Sequence, residues 1–282
     1  MREKPLLPGV LETAHWVAAY RALESERERP LFQDPWAGEL AGETGKAIVE
    51  ALNEPALGHA LAVRTKIIDD LVTQCVRAFG AKTVLNLAAG FDTRPYRLAP
   101  PATLQWVDAD LPRLLEQKQA VMHAVPPVCK VATHAVDLAD EAERKRLFDT
   151  YARDDVLVLT EGLLLYLHPP QVEALAVDLQ PFRWWILDVA SPAGVEVLKQ
   201  RMAERLGELA FEMPFASSNG PHFFTRLGWD LQGFYGSLEA AIHLGREEAL
   251  PPQARAHIDS LIHQNRMFKQ SGVVLLERKG RS

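Results

Sequence analysis

Residues 83–92, Thr83-Val84-Leu85-Asn86-Leu87-Ala88-Ala89-Gly90-Phe91-Asp92, pass from a short apolar run into a turn built on one glycine. The run from Thr83 to Ala88 favours strand, is too short for a stable helix, and is bounded by Gly90. The same pattern repeats downstream. Leu104 to Val107 leads into Asp108-Ala109-Asp110, Val128 to Val136 into Asp137-Leu138, and Val156 to Thr160 into Glu161. Trp184 to Val189 reads as a fifth strand and Val273 to Glu277 as a last one. Helical stretches over 112–124, 140–152 and 169–179 lie between the first five. Strands alternating with helices predict an α/β architecture: a mainly parallel sheet with helices on both faces.

Upstream, residues 10–27 have helical composition, and Pro30 and Asp34-Pro35 punctuate the chain. Residues 56–79 read as a longer helix, with Leu57, Leu61, Arg64, Ile68, Leu71 and Val72 near one side. No repeat, low-complexity tract or Gly/Ser linker divides the sequence. Residues 1–282 therefore read as a single domain. It has an N-terminal helical extension over 1–55 and a segment over 193–235 that breaks the alternation and is expected to cap the site on its substrate side.

Composition narrows the function. Of 282 residues, 48% are hydrophobic and 24% charged, an ordinary globular balance. The formal net charge of −6 suits a phosphate backbone poorly, so no nucleic-acid partner is expected. The two cysteines, Cys75 and Cys129, form no CxxC pair, and the nine histidines form no HxxH or HExxH spacing, so no metal site is expected. The charged start Met1-Arg2-Glu3-Lys4 lacks an apolar run of signal-peptide length. The most apolar stretch, Val156 to Leu167, is too short to span a bilayer and contains Glu161. A cytoplasmic chain without a membrane partner is the expectation, and oligomeric state is left open.

In open α/β sheets, ligands sit outside the carboxyl ends of the strands. Here the first four strands each end in a polar or glycine-bearing turn: Ala88 to Asp92, Asp110, Asp137-Leu138 and Glu161. One such acid is most simply a helix cap, but four in order point to a ligand. A dinucleotide needs GxGxxG at a helix N-terminus. Gly90 as third glycine needs partners where Leu85 and Leu87 stand, as second where Ala88 and Thr93 stand, and as first where Asp92 and Pro95 stand. All three registers fail, and no GxxxxGK[ST] loop is present. S-Adenosylmethionine carries no phosphate and asks for a different set. Gly90 can supply a close backbone approach. Asp110 can accept from the ribose hydroxyls and Asp137 from the adenine amino group, with Leu138 against the ring. Glu161 can face the methionine ammonium and Arg64 its carboxylate.

These residues resemble a known family. Leu87-Ala88-Ala89-Gly90-Phe91-Asp92-Thr93-Arg94-Pro95-Tyr96-Arg97-Leu98 is similar to the first cofactor motif of the leucine carboxyl methyltransferase-like family, which includes bacterial members resembling polyketide carboxyl O-methyltransferases. Phe32-Gln33-Asp34-Pro35-Trp36-Ala37 resembles its DPxA turn and Val63 to Asp69 its RTxxxD helix. Asp110-Leu111-Pro112 resembles its DxP, Val136-Asp137-Leu138 its VDL, and Glu161 to Leu167 its EGLLxYL. The likeness covers most of residues 13–190. It implies a Rossmann-like S-adenosylmethionine-dependent methyltransferase fold with Arg64, Gly90, Asp110, Asp137, Leu138 and Glu161 at the cofactor. Ala88, also assigned to the cofactor turn, stands where the family often has glycine, and a slightly tighter turn is expected. Asp108 shares a strand face with Asp110, so the ribose role has two candidates.

The remaining choices concern the acceptor. Tyr166 is the catalytic candidate on the substrate side; its alternative is core packing. Asp92, Arg94 and Arg97 read as loop-ordering or packing residues, and Trp184 and Trp185 as sheet packing. Arg21 reads as a solvated helix face, with a place at the mouth of the site as its alternative. His222, Phe223 and Phe224 either line a pocket or join the core, and the aromatics over 211–235 suit an apolar acceptor. A hydroxyl acceptor needs a general base, for which His168 is the nearest histidine. A carboxylate is ionised at neutral pH and needs none. The expectation is O-methylation of a small-molecule carboxylate. The alternatives are a protein C-terminal carboxylate, as for the family's eukaryotic members, a cofactor-binding protein without catalysis and, least favoured, an NAD(P)-dependent oxidoreductase.

Overall fold

A computed structural model describes residues 9–207, 212–246 and 271–280 of the chain. Helices α1 (Val10–Ser25), α2 (Ala37–Leu52) and α3 (Pro55–Arg77) precede strand β1 (Thr83–Leu87). Then come α4 (Arg94–Arg97), β2 (Gln105–Asp110), α5 (Pro112–Met122), β3 (Lys130–Ala135), α6 (Glu141–Tyr151) and β4 (Val156–Thr160). A 3-10 turn (Leu164–Tyr166), α7 (Pro169–Asp178), β5 (Trp184–Val189) and α8 (Pro192–Leu206) follow. The last elements described are α9 (His222–Thr225), β6 (Trp229–Gly236), α10 (Ser237–His243) and β7 (Gly272–Arg278).

The strands form one sheet in the order β3-β2-β1-β4-β5-β7-β6. β1 pairs in parallel with β2 and β4, while β7 runs antiparallel to both β5 and β6. The strand order reverses between β1 and β4, the place where ligands bind in such sheets. The sheet is buried on both faces because successive side chains alternate between them. Leu85, Leu87, Trp185 and Leu187 join one core with Phe148 of α6 and Val172 and Leu175 of α7. Val84, Trp184 and Ile186 join the other with Ile67, Ile68, Leu71 and Val72 of α3 and Leu238 of α10. Each fully buried Leu or Ile contributes roughly 1.5–3 kcal/mol, so the two cores dominate stability.

One expectation on architecture needs correction. Residues 229–235, placed within a cap, belong to edge strand β6 of the sheet, whose register shifts between Leu231 and Gly233. Of the cap stretch, 208–211 lie outside the described residues, as do residues 1–8 of the N-terminal extension. The extension also holds a helix that the sequence did not reveal, α2, in which Gly42 adopts φ +56° and kinks the axis. No helix among the described residues is long and apolar enough to cross a membrane.

Candidate functional site

The turn after β1 is shaped by backbone conformation. Ala88 has φ +53° and Gly90 φ +48°, both left-handed. Glycine adopts this region without penalty, whereas alanine pays about 1–2 kcal/mol. Ala88 thus does more than tighten the turn: it holds a strained conformation. The Gly90 amide donates to Asp110 Oδ2 at 2.6 Å and the Leu111 amide to Asp110 Oδ1 at 2.7 Å. One carboxylate at the end of β2 therefore ties the β1 turn to the start of α5. Burial pushes the Asp110 carboxyl upward, against the two amides and the charge of Lys118. Asp108 plays a different part. It is buried and accepts from Lys118 Nζ at 2.7 Å, Trp106 Nε1 at 2.9 Å and Asn86 Nδ2 at 3.2 Å. Between the two ribose candidates, only Asp110 lines the cavity described below.

A continuous ionic network frames this turn. Arg94 donates to Asp69 at 2.7 Å, Asp92 at 2.7 Å and Glu161 at 2.8 Å. Arg97 forks onto Asp69 at 2.6 and 2.8 Å. Arg64 donates through Nε to Glu161 at 3.0 Å and through Nη1 to Asp188 at 3.0 Å. Asp188 also accepts from the Gly162 amide at 2.7 Å, fixing the turn after β4. Although burial opposes their ionisation, Asp92 is brought to about 2 by Arg94 and Lys118, and Glu161 is held below the usual carboxylate range by Arg94 and Arg64. Buried ion pairs offset their desolvation only when every partner is bonded, and here they lock the strand-end turns in one geometry.

Asp92, Arg94 and Arg97, expected to order or pack the loop, join this network, and all three also line the cavity described below, while one arginine was misjudged. Arg64, expected on the cofactor side, is held by Glu161 and Asp188 and lines that cavity. Arg21 is buried, not solvated. It donates to Asp34 at 2.8 Å and to the Phe91 carbonyl at 2.6 Å, while Thr93 donates to the same Asp34 oxygen at 2.7 Å. The Asp34-Pro35 turn therefore clamps α1 onto the β1 turn. Asp188 was missed altogether, because it sits inside an apolar strand and meets an arginine 124 residues away.

These elements enclose a cavity of about 390 Å³. Its polar end is lined by Ala88, Gly90, Asp92, Asp110, Asp137, Leu138, Glu161 and Arg64, so all seven expected cofactor-side residues converge there. Asp137 is exposed, and its Oδ1 accepts from the Ala139 amide at 2.9 Å. At the other end stand Tyr166, Thr13 and an apolar wall. Burial pushes the Tyr166 phenol up to about 12, against a hydrogen bond from Thr13 and the charge of Arg64. No histidine lines the cavity among the described residues. His168 is exposed at the N-cap of α7. Phe224 stacks edge-on against Trp185 and Phe223 against Phe215; neither lines the cavity, and Phe211 lies outside the described residues. Phe215, Phe223, Phe224 and Trp229 belong to the core, as the alternative reading had it, whereas Tyr235 is exposed. A larger hollow of about 1200 Å³, bordered by α3, β6 and α10 and including His222, collects none of the strand-end acids.

Comparison with known proteins bears on the family and the fold. A family model described as Leucine carboxyl methyltransferase matches residues 14–180. A Streptomyces coelicolor protein described as a candidate S-adenosyl-L-methionine-dependent methyltransferase is 36% identical over 59% of this chain and 63% of its own length. The chain thus spans under two thirds of that relative. A similarly described Mycobacterium bovis protein is 33% identical over 73% of this chain and 76% of its own. A crystal structure of a DUF574 family protein from Streptomyces avermitilis shares the fold, with a TM-score of 0.59 at 16% identity, covering 95% of this chain and 97% of that one. A candidate methyltransferase from Thermobifida fusca gives the same TM-score at 16% identity, covering 98% and 96%.

Proposed function

Because the chain belongs to the leucine carboxyl methyltransferase family, we propose that it binds S-adenosylmethionine and methylates the carboxylate of a small molecule. The observation that carries this is the convergence of Gly90, Asp110, Glu161 and Arg64 on one cavity at the strand-order reversal. The residues fit the cofactor. Asp110 uses one lone pair per oxygen on backbone amides, which leaves acceptor capacity for the ribose hydroxyls. Asp137 and Leu138 stand ready for adenine. Arg64 keeps its Nη2 donors for a ligand carboxylate, since only Nε and Nη1 are engaged among the described residues. Glu161 and Asp188 hold negative charge beside the cations of the methionine end.

When bound, the cofactor supplies an electrophilic methyl group for in-line displacement. The protein's part is alignment, worth up to roughly 7–11 kcal/mol, and exclusion of water by α1. What the described residues of the wall lack supports a carboxylate acceptor. Deprotonating a hydroxyl needs a base near neutrality. Tyr166 titrates far above neutrality, and Asp92 and Glu161 are neutralised by arginines. A nucleophile that arrives ionised, a carboxylate, suits this site. Tyr166, protonated, can donate to the acceptor oxygen and hold it toward the methyl-bearing end. The test is incubation with methyl-labelled S-adenosylmethionine and a panel of carboxylic acids and phenols, reading S-adenosylhomocysteine and ester. Ester formation supports the proposal; exclusive ether formation from phenols overturns it.

A further inference from the structure

The two ends of the cavity differ in kind. Trp16 of α1, Leu57 and Leu61 of α3, Leu165, Leu198 of α8 and Met213 line the end away from β2 and β3, and all belong to one apolar cluster separate from the two sheet cores. The amide of Phe215 donates to the Leu165 carbonyl, which binds the Met213 segment to the wall that carries Tyr166. Among the described residues, every cation that lines the cavity, Arg21, Arg64, Arg94 and Arg97, bonds a carboxylate of the chain itself. Among the described residues the polar groups around this apolar end are Thr13 and Tyr166, a hydrogen-bonded pair, and the buried indole N–H of Trp16, a single donor without a partner.

We infer that the acceptor is a monocarboxylic acid with an uncharged apolar body, seated against Trp16, Leu198 and Met213, and that these residues set its bulk. This deepens the methyl-transfer reading and rests on it. Burying an apolar body there is favourable in proportion to the area removed from water. A second charge at the far end of the acceptor, or the amide backbone of a peptide, would be buried without a partner there, because among the described residues the wall offers neither a spare cation nor a row of hydrogen-bonding groups. A peptide's C-terminal carboxylate is therefore disfavoured as acceptor. The walls come from three separated elements, so a methylene more or less in the acceptor is felt through dispersion and packing.

The experiment is a comparison of kcat/KM for 1-naphthoic, octanoic and azelaic acids and a hexapeptide ending in free leucine, with methyl-labelled S-adenosylmethionine. Binding of each to the S-adenosylhomocysteine complex is read by calorimetry in parallel. The apolar monocarboxylates are expected to exceed azelaic acid and the peptide by at least about a hundredfold. Met213→Ala and Leu198→Ala should shift preference toward the bulkier acid by about tenfold while S-adenosylhomocysteine still binds. Comparable use of azelaic acid or the peptide overturns the inference, as do variants that slow all acids equally or a complex that binds none of the apolar acids. Failure of S-adenosylhomocysteine itself to bind is a different result, and defeats the methyl-transfer reading instead.

Discussion

The Gly90 amide meets Asp110 Oδ2 at 2.6 Å across the seam between β1 and β2, twenty residues apart in the chain. A single acid thereby does two things: it closes the glycine turn and presents its remaining lone pairs to the cavity. The site is built by such long-range bonds between strand ends, and each can be tested separately.

The backbone of the turn gives a paired stability prediction. A Cβ on Gly90 would meet Ala14 Cβ at 3.5 Å, an ordinary contact, so Gly90→Ala suffers from its φ of +48° and not from crowding. It should cost about 1–2 kcal/mol. Ala88→Gly relieves φ +53° at a small entropic cost and should be neutral to stabilising by up to about 1 kcal/mol. Thermal unfolding should move by about 2–4 °C per kcal/mol, in opposite directions for the two variants. Equal losses would show that the turn is not held in the left-handed region.

Arg94 is the hub of the ionic network and is almost wholly buried. Arg94→Met leaves Asp69, Asp92 and Glu161 short of a partner and should destabilise the chain by about 3–5 kcal/mol, because uncompensated buried charge is costly. Arg94→Lys keeps the charge but cannot fork to three carboxylates and should recover only part of the loss. Denaturant unfolding measures both. A loss below about 1 kcal/mol for Arg94→Met would mean the network is decorative.

Acid stability follows from the same pairs. Asp92 sits at about 2 in the folded chain, below its ordinary carboxylate value, with burial opposing and Arg94 then Lys118 favouring its charge. A depressed folded value contributes stability that is present above about pH 4 and lost as pH falls toward 2. Asp34 and Glu161, also lowered, act in the same sense. Asp110, raised by burial, acts in the opposite sense and offsets part of the loss. Unfolding free energy should fall between pH 4 and pH 2, by about 2 kcal/mol from Asp92 alone. An Asp92→Asn variant should lose most of that component; an unchanged slope would remove Asp92 from the network.

Tyr166 should act as a donor and not as a base. Tyr166→Phe is expected to lower kcat by roughly tenfold, the worth of one hydrogen bond, with S-adenosylhomocysteine affinity within about threefold of the parent. The parent's kcat/KM should be flat from pH 6 to 9, since the phenol titrates near 12 and no histidine lines the cavity among the described residues. A limb rising with an apparent value near 7 would point to base-assisted hydroxyl methylation.

Much of this architecture is legible because strands and their ends obey local rules. Val156–Thr160 and Trp184–Val189 are largely apolar runs and appear as strands with those bounds. The four strand-end turns could be found because polar residues close apolar runs at the face where loops must lie. What stayed hidden needed tertiary pairing. Asp188 reads as part of an apolar strand until Arg64 meets it. Arg21 reads as one more charge on a charged helix until Asp34 folds back on it. Helix α2 carries Gly38, Gly42 and Gly45, whose presence hides its period; a Cβ at Gly45 would come within 2.3 Å of the His15 carbonyl, so close packing of α1 on α2 demands that glycine. β6 escaped because Gly233 and a register shift break its alternation.

The measurement that bears most directly on the proposed site is calorimetric titration of S-adenosylhomocysteine into the parent chain and Asp110→Ala, with NAD and NADP run alongside. The parent should bind S-adenosylhomocysteine and neither dinucleotide, and Asp110→Ala should weaken binding by about 10- to 100-fold, the loss of charge-assisted hydrogen bonds of roughly 1.5–3 kcal/mol. Binding of NAD or NADP without S-adenosylhomocysteine, or equal affinity in parent and Asp110→Ala, would contradict it.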